Sequence, residues 1–139
     1  MLRLTKQYKF CAAHRYWNDE WTKEKNIEIF QDDVKLHGHN YQLDITVSGP
    51  IDKNSGFIIN IKDLNSVVNA HVIKFLDHSQ IEKDIPWFEN KQPSTENMVR
   101  FIWKQLADNI PLPAELYSIK LRETSTNYTE YFEPKKTND

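Results

Sequence analysis

From His37 to Ser48 the chain alternates without a break, with His37, His39, Tyr41, Leu43, Ile45 and Val47 in one parity and Asn40, Gln42, Asp44 and Thr46 in the other. A period of two with one apolar and one polar set is the pattern of a strand buried on one face, so this segment commits the fold to an antiparallel sheet resting on a core. Leu4, Tyr8, Phe10, Ala12 and His14 share the even positions of the opening segment. They read as a second strand despite Lys6 on the same face, and His14 closes its apolar side. Tyr117, Ile119 and Leu121 alternate into Arg122-Glu123-Thr124, and Asn127 leads into a last strand through Tyr131.

Two segments carry helical spacing. Asn60 can cap a helix with Ile61, Leu64, Val67, Val68, Val72 and Phe75 on its stripe, leading to Leu76-Asp77-His78. Ser94-Thr95-Glu96-Asn97 opens a second, carrying Val99, Ile102, Trp103 and Leu106 and ended by Pro111 and Pro113. Between Trp17 and Phe30 the pattern is weak and reads as an irregular insertion with one helical turn. Phe57 to Ile59, after the turn chemistry of Asp52-Lys53-Asn54-Ser55-Gly56, reads as a short strand completing a hairpin. A loop holding Pro86 and Pro93 joins the helices, and the polar tail after Phe132 is expected to fray. The order strand, strand, strand, helix, helix, strand, strand gives one α+β domain over residues 1–139, with both helices on one sheet face. The other face is expected to be too aromatic for water and to need a partner.

Lys and Arg total 18 against 20 Asp and Glu, a formal charge of -2, so no basic excess points to nucleic acid. No run of about 18 apolar residues points to a membrane span. The charges within MLRLTKQYKF depart from a secretory leader, and the lone Cys11 forms neither an internal disulfide nor a thiolate cluster, so a cytoplasmic location is expected.

The histidines carry the chemistry. In His37-Gly38-His39 two imidazoles lie on one side of a strand with Cβ atoms about 7 Å apart, within reach of one ion. If the first two strands pair, His14 joins them. Three imidazoles with an open fourth position make a catalytic zinc ligand set, although iron, nickel and copper also accept it. A lone histidine is more commonly structural, and His71 is read so. Asp77 beside His78 is either a carboxylate fixing a tautomer or part of a cationic helix end. Glu123 either grips two adjacent N–H groups of a heterocycle or pairs with a surface charge.

Taken in order, Phe10-Cys11-Ala12-Ala13-His14-Arg15, His37-Gly38-His39-Asn40-Tyr41, Gly56-Phe57-Ile58-Ile59-Asn60, Leu76-Asp77-His78, Pro93-Ser94-Thr95-Glu96-Asn97 and Lys120-Leu121-Arg122-Glu123-Thr124 resemble the motifs of the 6-pyruvoyltetrahydropterin and 6-carboxytetrahydropterin synthase family. The resemblance implies the tunnelling fold, in which three subunits join their sheets into a barrel and two trimers stack into a homohexamer with sites between subunits. It implies zinc on His14, His37 and His39, proton transfer by Asp77 and His78 toward a neighbour's zinc, a pterin ring anchored by Glu123, and backbone contacts to it from Ser94 and Thr95. The implied substrate is 7,8-dihydroneopterin triphosphate. Its vicinal hydroxyls suit a zinc with an open position, after which a base removes a proton from the substrate side chain, the ring is reprotonated, and triphosphate leaves or the side chain is cleaved.

The family's catalytic cysteine belongs between the first zinc histidine and H-G-H, and no cysteine lies there. Cys11 points to the sheet face opposite His14, because three residues separate them, and reads as a packed thiol. Counting back four residues from His37, as in the carboxytetrahydropterin branch, lands on Asp33. Counting forward from Glu24-Lys25-Asn26 and Phe30 also lands there, with Asp32 adjacent; otherwise both are solvated loop residues. A carboxylate is the weaker base near neutrality unless burial raises its pKa. The leading expectation is a zinc-dependent lyase of the 6-carboxytetrahydropterin type, which serves queuosine synthesis, or of the 6-pyruvoyl type. The alternatives are a carboxylate-based enzyme that cuts the substrate side chain to 6-hydroxymethyl-7,8-dihydropterin, an inactive pterin-binding protein, and a nonenzymatic histidine metal protein.

Overall fold

A computed structural model describes residues 1–134; the expectation of a frayed tail falls mostly outside the described residues. Strands β1 (Arg3–His14) and β2 (His37–Ser48) pair antiparallel along their whole length, from Arg3 opposite Ser48 to His14 opposite His37. The even residues of β1 and the odd residues of β2 therefore share a face, and Phe10 stacks on Tyr41 with ring centroids 5.0 Å apart. β4 (Glu115–Thr124) and β5 (Asn127–Tyr131) extend the sheet beyond β2, and a two-residue strand, β3 (Ser79–Gln80), runs parallel to β1 at the other edge. The strand order is β3-β1-β2-β4-β5.

Phe10, Ala12, Tyr41, Leu43, Ile45, Val47, Ile119 and Leu121 bury one sheet face in a single core with the helices. Helix α2 (Ile61–Val68) starts where Asn60 Oδ1 accepts the Lys62 N–H at 2.9 Å, then runs through a π turn (Asn69–Ile73) into α3 (Lys74–Leu76). Leu64, Val68, Val72 and Leu76, each four residues from the last, are all 0 % exposed. That spacing drifts about 40° per step around a regular α-helix, and the wider π turn takes up the drift. Burial of each such residue contributes about 1.5–3 kcal/mol. Phe75, expected on this stripe, is exposed, and Leu76 takes its place. Helix α5 (Thr95–Leu106), capped by Ser94 Oγ accepting the Asn97 N–H, buries Val99, Ile102, Trp103 and Leu106 as the spacing requires.

Several expectations are corrected. Phe57 to Ile59 is no strand: the Asp52 N–H donates to the Phe57 carbonyl and the Gly56 N–H to the Asp52 carbonyl, closing a turn, and Ile58 and Ile59 pack against the core from a loop. The insertion holds a full helix, α1 (Lys23–Phe30), capped by Thr22 Oγ1. Its one buried residue is Asn26, while Ile27 and Ile29 face outward, so no apolar stripe announces it. The stretch between α3 and α5 holds α4 (Ile81–Asp84) and a 3-10 turn at Pro86–Phe88. The uncovered sheet face is hydrophilic rather than aromatic. Thr5 and Thr46 hydroxyls meet at 2.7 Å, Gln7 donates to Asp44, and Lys120 lies 4.0 Å over the Tyr128 ring. Among the described residues no helix is long and apolar enough to cross a membrane.

Candidate metal centre and its surroundings

Pairing of β1 with β2 sets His14 opposite His37 and Ala12 opposite His39, so the three imidazoles meet at one end of the sheet on its core side. Their ring centroids lie 4.6, 5.0 and 5.1 Å apart. Gly38 between them lets the strands approach closely, since a Cβ there would lie a tight 3.2 Å from the Ala12 carbonyl oxygen. His14 Nδ1 lies 2.9 Å from the Pro93 carbonyl and His37 Nδ1 lies 2.7 Å from the Lys35 carbonyl. Carbonyls only accept, so each Nδ1 carries the proton and each Nε2 presents a lone pair. Those two Nε2 atoms face each other at 3.0 Å. Two lone pairs at that distance repel, whereas ligands of one tetrahedral zinc with bonds of about 2.05 Å sit about 3.3 Å apart. His39 Nε2 is buried without a hydrogen-bond partner. Burial holds the His14 pKa down to about 4, which keeps it in the neutral form a metal requires. The donor set thus fits a divalent cation, zinc included.

Two carboxylates border this centre. Asp33, in the 3-10 turn Gln31–Val34, places Oδ1 at 3.7 Å from His37 Nε2 while most of its side chain stays exposed. Its backbone is fixed by the Tyr16 N–H donating to its carbonyl at 2.9 Å. Asp32 is exposed. Glu123, on the strand that pairs with β2, places Oε1 at 3.7 Å from His39 Nε2, and burial raises its pKa above the usual carboxylate range. Tyr16 and Tyr41 line the His14 ring, and burial raises both phenols.

The segments that hold these groups are less visible in the sequence. Asn26 binds the insertion together: its Oδ1 accepts the Asn18 N–H at 2.7 Å and its Nδ2 donates to the Asn18 and Thr22 carbonyls. The Pro93 carbonyl ties the start of α5 to His14, so Ser94 and Thr95 begin one peptide from the centre. The Ser94 hydroxyl is spent on the helix cap, and the Thr95 hydroxyl donates to Glu96 and meets Thr129.

Asp77 and His78 do not join the three histidines. They gather at Cys11, which projects from the opposite face of β1 as its parity requires. The reading of Cys11 as a packed thiol is corrected, because its Sγ faces these two polar groups.

Residues 3–134 match the family model described as 6-pyruvoyl tetrahydropterin synthase. The sequence is 35% identical over 133 residues to a 6-pyruvoyl tetrahydrobiopterin synthase of Drosophila melanogaster, covering 94% of this protein and 79% of that one. It is 30% identical over 121 residues to a dihydroneopterin monophosphate aldolase of Pyrococcus furiosus, covering 87% and 89%. The solved 6-pyruvoyl tetrahydropterin synthase of Caenorhabditis elegans matches with a TM-score of 0.88 at 25% identity, covering 96% of both proteins.

Proposed function

The chain belongs to the 6-pyruvoyl tetrahydropterin synthase family, lyases of pterin metabolism with the tunnelling fold, and from that premise we propose that it converts 7,8-dihydroneopterin triphosphate to 6-pyruvoyl tetrahydropterin with Asp33 as the base. The observation that carries the reading is the convergence of three imidazoles on one point, with an exposed carboxylate 3.7 Å from one of them. His14, His37 and His39 would hold the zinc. Zinc bound there supplies Lewis acidity to the vicinal hydroxyls of the substrate.

The protein's own residues do the rest. Asp33 borders the place where those hydroxyls would lie, and it takes the proton from the adjoining carbon. Glu123 accepts from two pterin N–H groups, and those donors favour its ionised form against the burial that opposes it. Ser94 and Thr95 add backbone contacts to the ring, and Asp77 with His78 moves the second proton, toward the site of a neighbouring copy. Exposed Ile27, Ile29, Leu36 and Phe57 offer apolar contacts for the homohexamer that the family resemblance implies. A cytoplasmic site of action fits the single unpaired cysteine.

The names of the relatives favour the 6-pyruvoyl product over the 6-carboxy product of the queuosine branch. The Pyrococcus furiosus aldolase supports a second reading, cleavage of the substrate to 6-hydroxymethyl-7,8-dihydropterin. Zinc-loaded protein incubated with 7,8-dihydroneopterin triphosphate, with products resolved by mass, decides among them. Inorganic triphosphate with the pyruvoyl product is expected. The hydroxymethyl product would establish the second reading, and saturable binding without product would reduce the protein to a pterin binder. Asp33→Ala is expected to lose about 100-fold or more in kcat with binding intact; unchanged turnover removes Asp33 from the mechanism.

A further inference from the structure

None of the residues Gln31–Val34 is buried and most of the Asp33 side chain is exposed, yet its Oδ1 stands 3.7 Å from His37 Nε2. A turn with no buried residue of its own needs an outside tether if one of its side chains is to keep its place. The bond from the Lys35 N–H to the Asp32 carbonyl only closes the turn on itself. Tyr16, two residues after His14, supplies two contacts that reach beyond it.

The first is made by the main chain, where the Tyr16 N–H donates to the Asp33 carbonyl at 2.9 Å. The second is made by the ring, which meets the His14 imidazole with centroids 5.1 Å apart and the Phe30 ring at 5.4 Å and 32°. Phe30 is the last residue of α1, directly before the turn, and it stacks in its own right on Trp21 at 5.6 Å and 23°. Lys25 Nζ lies 4.5 Å over the Trp21 ring. Rings at these separations attract beyond the area they bury, so the row ties a histidine of the metal centre to the end of α1. Gln31, the junction between α1 and the turn, holds a φ of 53°, a left-handed conformation that a residue with a Cβ keeps only where its surroundings sustain it. Asn26 fixes the start of the insertion, and this row fixes its end.

We propose that Tyr16 is a positioning residue, which fixes the Asp33 carboxylate at the edge of the three-histidine centre through its backbone N–H and its ring. A carboxylate loose on an exposed turn would spend little of its time within reach of a substrate held at that centre. The tether removes this freedom before substrate arrives, so the gain falls on kcat rather than on affinity. Tyr16 itself transfers no proton. Because it follows His14 by two residues, one short run of chain sets both the histidine and the carboxylate. The role rests on the proposed use of Asp33 as the base.

The test reads the tether with and without substrate. On 7,8-dihydroneopterin triphosphate, Tyr16→Ala is expected to lose about tenfold or more in kcat with KM within about threefold and zinc content unchanged, since displacing a placed base costs rate and not binding. Tyr16→Phe, which keeps the ring and the backbone bond, is expected to recover turnover to within about threefold of wild type. In Asp33→Ala protein the Tyr16→Ala change should lose less than about threefold more, because a residue that acts through another then has nothing left to place. Hydrogen exchange at the residue 16 amide, whose proton the Asp33 carbonyl holds, reads the tether without substrate and should quicken by about tenfold or more in Tyr16→Ala. Phe30→Leu removes the facing ring and gives the same comparisons if Tyr16→Ala does not fold. Equal losses of kcat in the two backgrounds, a Tyr16→Phe protein as slow as Tyr16→Ala, or exchange indifferent to the ring overturns the role. A wild-type protein that does not turn over the substrate overturns the proposed function instead, and exchange alone then decides the tether.

Discussion

Asn26 is 0 % exposed on a helix whose other residues face solvent or lie partly covered, and its amide holds the insertion between β1 and β2 in shape. Three short contacts define its role: the Asn18 N–H donates to Oδ1 at 2.7 Å, and Nδ2 donates to the Asn18 and Thr22 carbonyls at 3.0 Å each. A neutral hydrogen bond contributes about 0.5–1.5 kcal/mol net, so Asn26→Ala should cost about 2–4 kcal/mol. The isosteric Asn26→Asp is the more searching change. It keeps an acceptor for Asn18 but replaces the donor with an oxygen facing two close carbonyls and a third, of Trp21, at 3.4 Å. At neutral pH it should cost at least as much as alanine, because a buried unpaired charge is worse than a cavity. Urea unfolding followed by tryptophan fluorescence, at equal protein concentration so that assembly does not confound the comparison, gives both numbers. An Asn26→Asp protein within about 0.5 kcal/mol of wild type, inside the range of neutral surface changes, would show that volume rather than hydrogen bonding fixes the insertion.

Two further outcomes follow from the site. His39→Ala should drop zinc from about one ion per subunit to under a tenth in elemental analysis of protein purified without added metal, as expected on losing one of three ligands. A chelator should lower the Tm of wild type and leave that variant unmoved, because binding energy is coupled to folding, by about 4 kcal/mol at a thousandfold excess over Kd; equal metal contents would sink the site. Glu123→Gln should weaken binding of 7,8-dihydroneopterin by about 1.5–3 kcal/mol per lost charge-assisted bond while zinc content stays unchanged, read by calorimetry. Unaltered affinity would remove Glu123 from the ring contact.

How far the sequence anticipates the molecule depends on how much each element relies on its own residues. β1, β2 and α5 bury stripes whose parity or helical spacing is written in consecutive residues, whereas β4 keeps the expected parity only at Ile119 and Leu121: a bulge gives the core side at its start to Leu116 in place of Tyr117. α1 is held by a single polar amide, which leaves no periodic trace. β3 is two residues long, too short to show any pattern. Phe57 to Ile59 has strand composition but no ladder to join, since Ile58 and Ile59 pack from a loop. The three histidines are legible because the pairing of two readable strands sets His14 opposite His37. Glu123 approaches His39 only through the β2–β4 register, and the Pro93 and Lys35 carbonyls that orient the imidazoles leave no mark in residue type. Cys11 illustrates the division: its face follows from parity, but its partners come from a segment more than sixty residues away.

The π turn at Asn69–Ile73 keeps an unbroken hydrophobic seam in line, and in doing so it also meters the backbone. Asp77 and His78 follow directly on that seam, so their angular position is set by the same buried residues. Excising one residue from the turn would leave spacings of four, three and four between the buried residues, which a regular α-helix keeps within about 60° of one another, so Leu76 and the dyad behind it would hold their direction. In this helix the core and the dyad therefore share one angular register: fully buried Leu76 directly precedes Asp77, and whatever turns one turns the other.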